Sequence, residues 1–385
     1  MLTQPFSHAI AEAERVIAEA AHVRGQQDLL EGYDYLAGGI RSSIQMAWSY
    51  DREFPYFVRS TGPYTKMGLD NPDTLYFHAW LHDDAEYVVT GRRGSTADLS
   101  FQVLDGSYSP VNVPGSLTAF DDREIEVAAD GSFEIRFGPG LSGPNAFPLA
   151  PGSAMLVVRE VFSDWAAERP GMLRIHRPDT IGGTPPPLTE ETLAKRYAVA
   201  GKILTGRIHT FLAFAERFYL NLPVNTLTPP RLTPGGLATQ YSSVGHYQLA
   251  EDQAMVITVR VSDAPYQGIQ LGSMWYISLD YSNHQTSLTV PQARIDPDGM
   301  IRYVISERDP GVANWLECTG HDRGYVQLRW QRLSHALTAA DGPRVEVVAM
   351  DDLPKQVPYY EPIGRAAWQE RIAARQAATA ARMLG

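Results

Sequence analysis

Cysteine is almost absent from this sequence, in which Cys318 is the only one among 385 residues. A single thiol excludes an intramolecular disulfide, and a cysteine-based metal site would need more thiolates. A lone thiol also fits a reducing compartment. The sequence therefore predicts a cytoplasmic protein that folds without staples, because a chain of this length can bury a sizeable core.

Positive charge and long apolar runs are scarce as well. The 33 Lys and Arg residues face 44 Asp and Glu residues, so the net charge is −11. No basic stripe suits a phosphate backbone, and we therefore expect no nucleic-acid partner. No segment approaches ~18 uninterrupted apolar residues, and the N-terminus lacks the basic start and apolar run of a secretory signal. These absences predict no membrane span and no membrane partner.

The signatures of common cofactors are also missing. The sequence contains no G-x-x-x-x-G-K-[ST], no H-E-x-x-H and no G-x-S-x-G, and its glycine-rich stretches do not join a strand to a helix as a dinucleotide fingerprint must. His78 and His82 would share a face of an extended strand, but two ligands do not make a metal site. A surface pair at the end of a strand is the plainer interpretation. We expect no cofactor and no structural metal.

The hydrophobic patterns that are present divide the chain into five segments. Apolar residues recur at helical spacing near the N-terminus, in the middle and in the Ala- and Arg-rich tail, and alternate with period two between them. Pro-Gly-Gly at 234–236 marks a linker. The predicted segments are an N-terminal helical pair (1–50), a first β-sandwich block (51–185), a helical connector (186–235), a second β-sandwich block (236–360) and a C-terminal helix (361–385). Such segregated blocks favour a mainly β, α+β fold with two antiparallel, jelly-roll-like sandwiches over an alternating parallel sheet.

The segment around Asn71 is denser in polar residues than its strand requires. Asn-Pro-Asp at 71–73 has the composition of a turn and delivers Asn71, Asp73 and Tyr76 to the entrance of an apolar strand. An aspartate beside a tyrosine could act as a base or anchor a ligand. Equally, Asp73 could only hydrogen-bond its own turn.

A second dense segment, residues 309–324, precedes a predicted strand. His321 could serve as an acid or base near neutral pH, Arg323 could clamp an oxyanion, and Trp315 could stack on a flat ligand. Asn314 adds an amide. The structural alternative is that Trp315 fills the core, His321 caps a turn and Arg323 pairs with a nearby aspartate. Cys318 is expected to be inert packing rather than a nucleophile.

These two segments carry two motifs, N-P-D-T-x-Y at 71–76 and D-P-G-x-x-N-W-L-x-x-x-G-H-x-R-G at 309–324. In both, the sequence resembles the bacterial domain-of-unknown-function 1214 family. The resemblance covers most of the second half of the chain and the Asn71 region. It implies a two-part, sheet-rich architecture. Proteins of this kind occur beside catabolic enzymes, which suggests small organic substrates, but the resemblance supplies no activity and no catalytic role.

We hypothesise that the two segments meet at one pocket between the β blocks. A cofactor-free enzyme of hydrolase or lyase type would there act on a small polar or aromatic molecule. The predicted catalytic residues are Asp73, His321 and Arg323, and the predicted substrate-binding residues are Asn71, Tyr76, Asn314 and Trp315. The alternative is a protein that binds a carbohydrate-like or aromatic ligand without turnover. The terminal helices could in addition build a homo-oligomer.

Overall fold

A computed structural model describes residues 1–106, 114–232 and 239–384, and the predicted linker at 234–236 lies outside them. The described helices are α1 (Gln4–Ala18), α2 (Gln26–Trp48), α3 (Glu190–Ala215), α4 (Leu353–Gln356) and α5 (Arg365–Leu384). A π-helical turn, Glu216–Leu220, continues α3. None of these helices is long and apolar enough to cross a membrane.

The first β block consists of two four-stranded sheets. Its strands are β1 (Thr74–Trp80), β2 (Tyr87–Arg92), β3 (Asp98–Leu104), β4 (Ser116–Asp121), β5 (Ser132–Gly138), β6 (Ala146–Pro148), β7 (Met155–Val161) and β8 (Met172–His176). One sheet has the order β1-β7-β3-β4 and the other β6-β5-β2-β8. Pairing is antiparallel except between β5 and β6. An apolar core that includes Phe101, Ile135 and Phe137 lies between the sheets.

The second β block has a larger and a smaller sheet. Its strands are β9 (Thr226–Leu227), β10 (Arg231–Leu232), β11 (Gln240–Gln248), β12 (Gln253–Arg260), β13 (Tyr266–Ser273), β14 (Ile277–Ser278), β15 (Ser287–Thr289), β16 (Met300–Ser306), β17 (Trp315–Glu317), β18 (Arg323–Gln331) and β19 (Arg344–Ala349). The larger sheet runs β10-β11-β18-β13-β14, with β9 beside β11 and β15 beside β13, and the smaller runs β17-β16-β12-β19. β16 and β17 pair in parallel, and the other neighbours are antiparallel.

The central strands of both blocks are buried on both faces. In β18, Val326, Leu328 and Trp330 enter the second core, while Gln327 and Arg329 alternate with them on the opposite face and are buried as well. The predicted fold class, mainly β with helices and two sandwich blocks, is confirmed. The segment boundaries given above remain predictions.

The first three helices pack against one another on the side of the two blocks. Their shared apolar cluster includes Ile17 of α1, Leu36 of α2 and Leu204 of α3, and Trp275 of the second block joins it. Thr189 marks the start of α3. Its Oγ1 accepts a hydrogen bond from the Thr192 amide at 3.1 Å, which is the geometry of an N-cap. The helices contact the first block as well, because Met46 of α2 and Ile203 of α3 pack with its Leu104 and Met155.

Candidate functional site

A cavity of about 180 Å³ lies between the outer faces of the two sandwiches. Strands β1 and β7 of the first block, strands β11 and β18 of the second block, and helix α3 contribute its walls. An engineered cavity of about 150 Å³ in another protein holds benzene, so this one accommodates a ligand of about one substituted ring.

The first-block wall is set by the pairing of β1 with β7. Tyr76 lies opposite Arg159, and His78 lies opposite Val157. Alternate residues of a strand face the same side, so these side chains point away from the first core and into the cavity. Phe77, between Tyr76 and His78, packs against that core instead.

The second-block wall follows the same rule on β11 and β18. Ser242 is opposite Arg329, and Val244 is opposite Gln327. All four line the cavity. The wall therefore combines the polar side chains of Ser242, Gln327 and Arg329 with the apolar side chain of Val244.

The loop before β1 completes the enclosure. Gly68 has a φ of +64°, and a Cβ at this position would lie 2.6 Å from a ring carbon of Phe211. Only glycine fits so close to the ring in this conformation. The close approach places Leu69, Asp70 and Asn71 along the cavity.

Apolar side chains cover both ends of the cavity. One end is formed by Met46, Leu104, Met155, Val157 and Ile203. The other is formed by Met67, Leu69, Phe211, Phe214, Phe218, Tyr219, Val244 and Tyr276. A ligand body without charge would be desolvated well at either end.

Four arginines line the cavity, and Arg231 of β10 is the exposed one among them. The other three come from three different elements: Arg159 from β7, Arg207 from α3 and Arg329 from β18. Their hydrogen bonds within the described chain go to neutral oxygens. The acceptors are Gln102 Oε1 (2.7 Å) for Arg159, Ser42 Oγ and Thr65 O (3.5 Å) for Arg207, and Gln270 Oε1, Gln327 Oε1 (2.9 Å) and Leu69 O (2.8 Å) for Arg329. None of these acceptors is a carboxylate, so the cationic charge of the three side chains is not balanced by an ion pair.

The acidic residue of the lining, Asp70, is already engaged. Its carboxylate accepts hydrogen bonds from the Ser278 amide at 3.1 Å and the Ser278 hydroxyl at 2.9 Å. Burial raises the pKa of Asp70, and the nearby Lys66 ammonium opposes this rise. The charge of Asp70 acts both on Lys66, which is not a cavity residue, and on Arg207, so this single carboxylate offsets the charge of the three arginines only in part.

Two lining donors have no partner among the described residues. Arg207 Nε and Thr61 Oγ1 are both buried and both unpaired. Buried polar atoms are normally hydrogen-bonded, and an orphan in a cavity marks a place for a ligand or water oxygen. These two atoms therefore indicate acceptors inside the cavity.

His78 is the titratable base of the cavity. Its Nδ1 lies 2.8 Å from Ser60 Oγ, which fixes the ring. Burial, followed by the charges of Arg159 and Arg207, lowers the pKa of His78 to about 3, so the imidazole is neutral at physiological pH. His78 is only 5% exposed, and its prediction as a surface residue is wrong because the segment that contains Val58 and Ser60 pairs with it and covers it.

Of the predicted site residues, Asn71 and Tyr76 line the cavity. The Tyr76 hydroxyl accepts a hydrogen bond from the Asn71 amide at 2.9 Å. Asp73 does not line it. Its carboxylate is buried and accepts hydrogen bonds from Trp165 Nε1 and the Tyr266 hydroxyl, each at 2.7 Å.

The second motif lies elsewhere, and its first half supports a loop and α5. The Asn314 side chain accepts from the Arg294 amide at 2.7 Å and donates to the Arg294 carbonyl at 2.8 Å. Trp315 donates to the Ser306 carbonyl at 2.9 Å and stacks on Trp368 of α5 with ring centroids 4.9 Å apart. Both are buried by their own chain.

The second half of that motif contacts α2. His321 Nε2 lies 2.7 Å from Glu31, and Arg323 donates to Asp28 at 3.0 Å and to the His22 carbonyl at 2.5 Å. Neither residue lines the cavity. The expectation that the two motifs converge on one pocket is therefore wrong for this cavity, because α2 and α5 cover the second motif.

The arginines of the cavity were not predicted from the sequence, although the sequence contains a signal for two of them. Arg159 and Arg329 are single cations within apolar strands, in Val157-Val158-Arg159 and Leu328-Arg329-Trp330. A charged residue in a strand whose other residues belong to the core lies either at the edge of the sheet or on a second face of the sheet that is also buried. Arg207, on a helix, offers no comparable signal.

Metal ligands and the single thiol are the remaining groups that could carry chemistry. In residues 1–106, 114–232 and 239–384, no group of three or more His, Cys, Asp or Glu side chains is arranged to hold a metal ion. The single thiol, Cys318, is buried, and burial raises its pKa to about 12. A thiol of this kind is a poor nucleophile.

Comparison with known proteins identifies structural relatives without an assigned activity. The chain is similar to the crystal structure of an uncharacterized protein from Burkholderia cenocepacia, with 28% identity over 90% of this chain and 96% of that one and a TM-score of 0.80. The VPA0106 protein from Vibrio parahaemolyticus matches 82% of this chain and 97% of its own at 11% identity and a TM-score of 0.47. No family model and no curated protein matches the chain.

Proposed function

We propose that this protein binds a small organic anion with an apolar body in the cavity between its two β blocks. The observation that supports the proposal is the set of three arginines, Arg159, Arg207 and Arg329, which line one cavity and bond only neutral oxygens among the described residues. The apolar ends of the cavity suit the remainder of the ligand.

The physical reason is the cost of a buried charge without a counterion. Removing a guanidinium from water costs several kcal/mol, on the order of 5, unless an opposite charge and hydrogen bonds replace the water. A carboxylate can accept two parallel hydrogen bonds from one arginine, and such charge-assisted bonds are about twice as strong as neutral ones. An anionic ligand is the simplest group that satisfies the cavity.

Isothermal titration with benzoate and with its neutral isostere benzamide tests the proposal. We expect benzoate to bind and benzamide to bind at least about tenfold more weakly, because only the carboxylate pairs with the arginines. Arg159→Met should weaken benzoate binding about 10- to 100-fold, since a hydrogen bond to a charged group contributes about 1.5–3 kcal/mol.

The matched control is Arg344→Met on β19, which removes an exposed arginine that pairs with Glu346. It should leave benzoate affinity unchanged. Equal affinity for benzoate and benzamide, or equal losses in the two arginine variants, would contradict the proposal.

Turnover of hydrolase or lyase type is the second candidate, and His78 is the observation that favours it. The ring is neutral, is fixed through Nδ1 by Ser60, and lines the cavity. Asp73 and His321, the acid and base expected from the sequence, contact protein groups outside the cavity. His78 is therefore better placed than either residue to accept a proton, although its lowered pKa makes the imidazole a weak base.

Mass spectrometry separates binding from turnover. Each acid that raises the melting temperature is incubated with the protein and with His78→Asn, and the products are compared. Product from the parent protein alone, with ligand binding kept in the variant, supports an enzyme. Unchanged ligand in both supports a binding protein.

Three further expectations stay predictions: the cytoplasmic location, the homo-oligomer through terminal helices and the resemblance to the domain-of-unknown-function 1214 family. Helix α5 contacts its own chain through Arg371, Arg375 and Arg382. A solution mass that is unchanged on removal of residues 361–385 would exclude that helix from any oligomer contact.

A further inference from the structure

The two unpaired donors of the cavity lining lie on side chains that are almost completely buried. Arg207 is 5% exposed and Thr61 is 4% exposed, and Arg207 Nε and Thr61 Oγ1 have no partner among the described residues. Both side chains line the cavity. Because buried donors are normally hydrogen-bonded, the two atoms together indicate where the acceptor group of a ligand would lie.

The loop of residues 60–65 brings these two donors together. Ser42 Oγ donates to the Ser60 carbonyl at 2.9 Å. Arg207 donates to Ser42 Oγ and, at 3.5 Å, to the Thr65 carbonyl. Thr61 lies between these two attached ends of the loop. The Thr61 hydroxyl and the Arg207 guanidinium therefore belong to one corner of the cavity, which we call the Arg207 corner.

The same loop connects the Arg207 corner to strand β1. Val58 and His78 exchange two backbone hydrogen bonds of 3.0 Å, and Ser60 Oγ lies 2.8 Å from His78 Nδ1. Arg159, on the neighbouring strand β7, is diagonal to His78 and faces the same side of the sheet. A carboxylate in the Arg207 corner would therefore lie on the side of the sheet that bears Arg159.

Helix α3 leads from the Arg207 corner to the aromatic end of the cavity. Its cavity-lining residues recur at spacings of three and four and form one stripe, which the π-helical turn continues: Ile203, Arg207, Phe211, Phe214 and Phe218. Along the helix axis, Phe211 lies about 6 Å beyond Arg207 and Phe214 about 10 Å beyond it.

The loop before β1 runs beside this stripe. Thr65 contacts Arg207, and three residues later Gly68 lies against the Phe211 ring. Met67 and Gly68 line the cavity together with the helix residues. The loop and the helix thus form two walls of one passage from the Arg207 corner to Phe211.

The two directions along the stripe differ in chemistry. The lining side chains around Ile203 are not aromatic and are Met46, Leu104, Met155 and Val157. In the other direction the Tyr276 ring centroid lies 6.3 Å from that of Phe211 and 5.6 Å from that of Phe214. Contacts between aromatic rings contribute beyond the area that they bury, so a ligand ring gains most on this side.

We infer that the ligand is an aromatic carboxylate anchored in the Arg207 corner. One carboxylate oxygen accepts from Arg207 Nε and the other accepts from the Thr61 hydroxyl, while the ring lies against Phe211 and Phe214. This inference rests on the proposed function and specifies its ligand class and the groups that anchor it.

Isothermal titration of benzoate into Thr61→Val tests the anchor. Valine has the shape of threonine and removes only the hydroxyl donor. Arg207 is the less suitable position, since it also holds Ser42 and Thr65 and its replacement would disturb the loop. We expect Thr61→Val to weaken benzoate binding about 10- to 100-fold, and Thr61→Ser to keep it within about threefold of the parent protein.

The matched control is Thr210→Val on α3. Thr210 Oγ1 is equally buried and has no partner among the described residues, but Thr210 does not line the cavity. Its replacement should leave benzoate affinity unchanged. Neither valine variant should lower the urea midpoint of unfolding, because neither removes a hydrogen bond from the described part of the free protein.

Cyclohexanecarboxylate, which has the same carboxylate on a ring that is not aromatic, tests the position of the ring. We expect benzoate to bind about threefold or more tightly than cyclohexanecarboxylate. Phe214→Leu should reduce this preference to less than about twofold. Thr61→Val should weaken the binding of both acids alike, since both present the same carboxylate.

Each outcome distinguishes the inference from the proposed function. Benzoate affinity that falls equally in Thr61→Val and Thr210→Val, or in neither, overturns the inference and leaves organic-anion binding standing. A urea midpoint that falls only in Thr61→Val also overturns it, because the hydroxyl then has a partner in the free protein. The same holds if cyclohexanecarboxylate binds as tightly as benzoate, or if inorganic phosphate binds more tightly than both. If no organic acid binds to the parent protein, the proposed function fails together with the inference.

Discussion

At the scale of single residues, Asp73 joins three parts of the chain. Its carboxylate accepts from Trp165 and Tyr266, and the Tyr266 hydroxyl in turn accepts from the Asn71 side chain at 2.9 Å. Arg382 of α5 lies over the Trp165 ring at 3.8 Å. The residue therefore holds the Asn71 loop, which lines the cavity, against both β blocks.

Replacement of Asp73 by alanine should destabilise the protein strongly. The change leaves Trp165 Nε1 and the Tyr266 hydroxyl buried without an acceptor and should reduce the free energy of unfolding by about 2–4 kcal/mol. Urea unfolding measures the effect, and Asp73→Asn should lose less because it keeps one acceptor. Asp84→Ala, at an exposed position, is the control. A loss for Asp73→Ala no larger than for the control would contradict this role.

The residue types of both motifs were recognised from the sequence, but their roles were not. Asp73 and His321 both have side chains that can serve in catalysis. In the structure, Asp73 instead accepts hydrogen bonds from buried donors, and His321 pairs with Glu31 of α2. Only the partners distinguish the two uses, and the partners Trp165, Tyr266 and Glu31 are remote in sequence. No local pattern contains that information.

At the scale of elements, the second motif attaches the terminal helices to the second sandwich. His321 and Arg323 pair with Glu31 and Asp28 of α2. Burial lowers the pKa of His321, but the hydrogen bond and charge of Glu31 outweigh it, so the pKa is raised overall. The histidine is therefore more readily protonated in the folded chain than in the unfolded one.

The pH dependence of this pairing has a defined sign. A raised pKa in the folded state gives stability that is fully present below about pH 6.5, the unperturbed histidine value, and is lost as the pH rises through the folded value. His321→Gln should therefore cost more stability at about pH 5.5 than at about pH 9, as measured by urea unfolding. His8→Gln on the exposed face of α1 should show no such difference. A larger cost at alkaline pH would refute the pairing.

Helix α5 is attached through aromatic stacking as well as through arginines. Trp368 stacks on Trp315, and Trp368→Ala removes that contact. We expect a loss of about 2–3 kcal/mol in the free energy of unfolding, from the aromatic pair and the area it buries. Ala374→Gly, at an exposed position of the same helix, controls for helix propensity and should cost about 1 kcal/mol. If the two variants lose the same amount, the stacking contributes nothing.

At the scale of the whole molecule, a charged network joins the two sandwiches away from the cavity. Arg332, which follows β18, lies 3.0 Å from Asp122 and 3.5 Å from Asp98, and Gln331 also donates to Asp98. Burial, opposed by Arg332, raises the pKa of Asp98 to about 7. Asp98 belongs to the first block, whereas Arg332 and Gln331 belong to the second.

The network predicts a loss of stability with rising pH. The folded protein keeps a proton on Asp98 that the unfolded chain releases near pH 4, so the free energy of unfolding falls as the pH rises from about 4 to 7. Asp98→Asn carries no such proton and should gain stability relative to the parent between about pH 4.5 and pH 8. Asp105→Asn is the control at an exposed site. A relative loss across this range would contradict the assignment.

The fold class could be predicted from sequence because strand and helix periods are local. The β-forming residues predict strands over 74–81 and 325–330, and the structure has strands at Thr74–Trp80 and Arg323–Gln331. The helical spacing predicts a helix over about 190–220, and the structure has α3 at Glu190–Ala215. The cavity could not be predicted, since it depends on which outer faces of the two sandwiches meet. Arg159, Arg207 and Arg329 become neighbours only through that packing.

The anomalous signal of bromine from 4-bromobenzoate, soaked into crystals of the protein, shows where an organic anion binds. We expect a bromine peak inside the cavity, with the carboxylate against Arg159 and Arg207 or against Arg329. A peak only outside the cavity, for example in a surface groove lined by Phe54, Leu173 and Ile181, or no peak at saturating ligand, would contradict the proposed function.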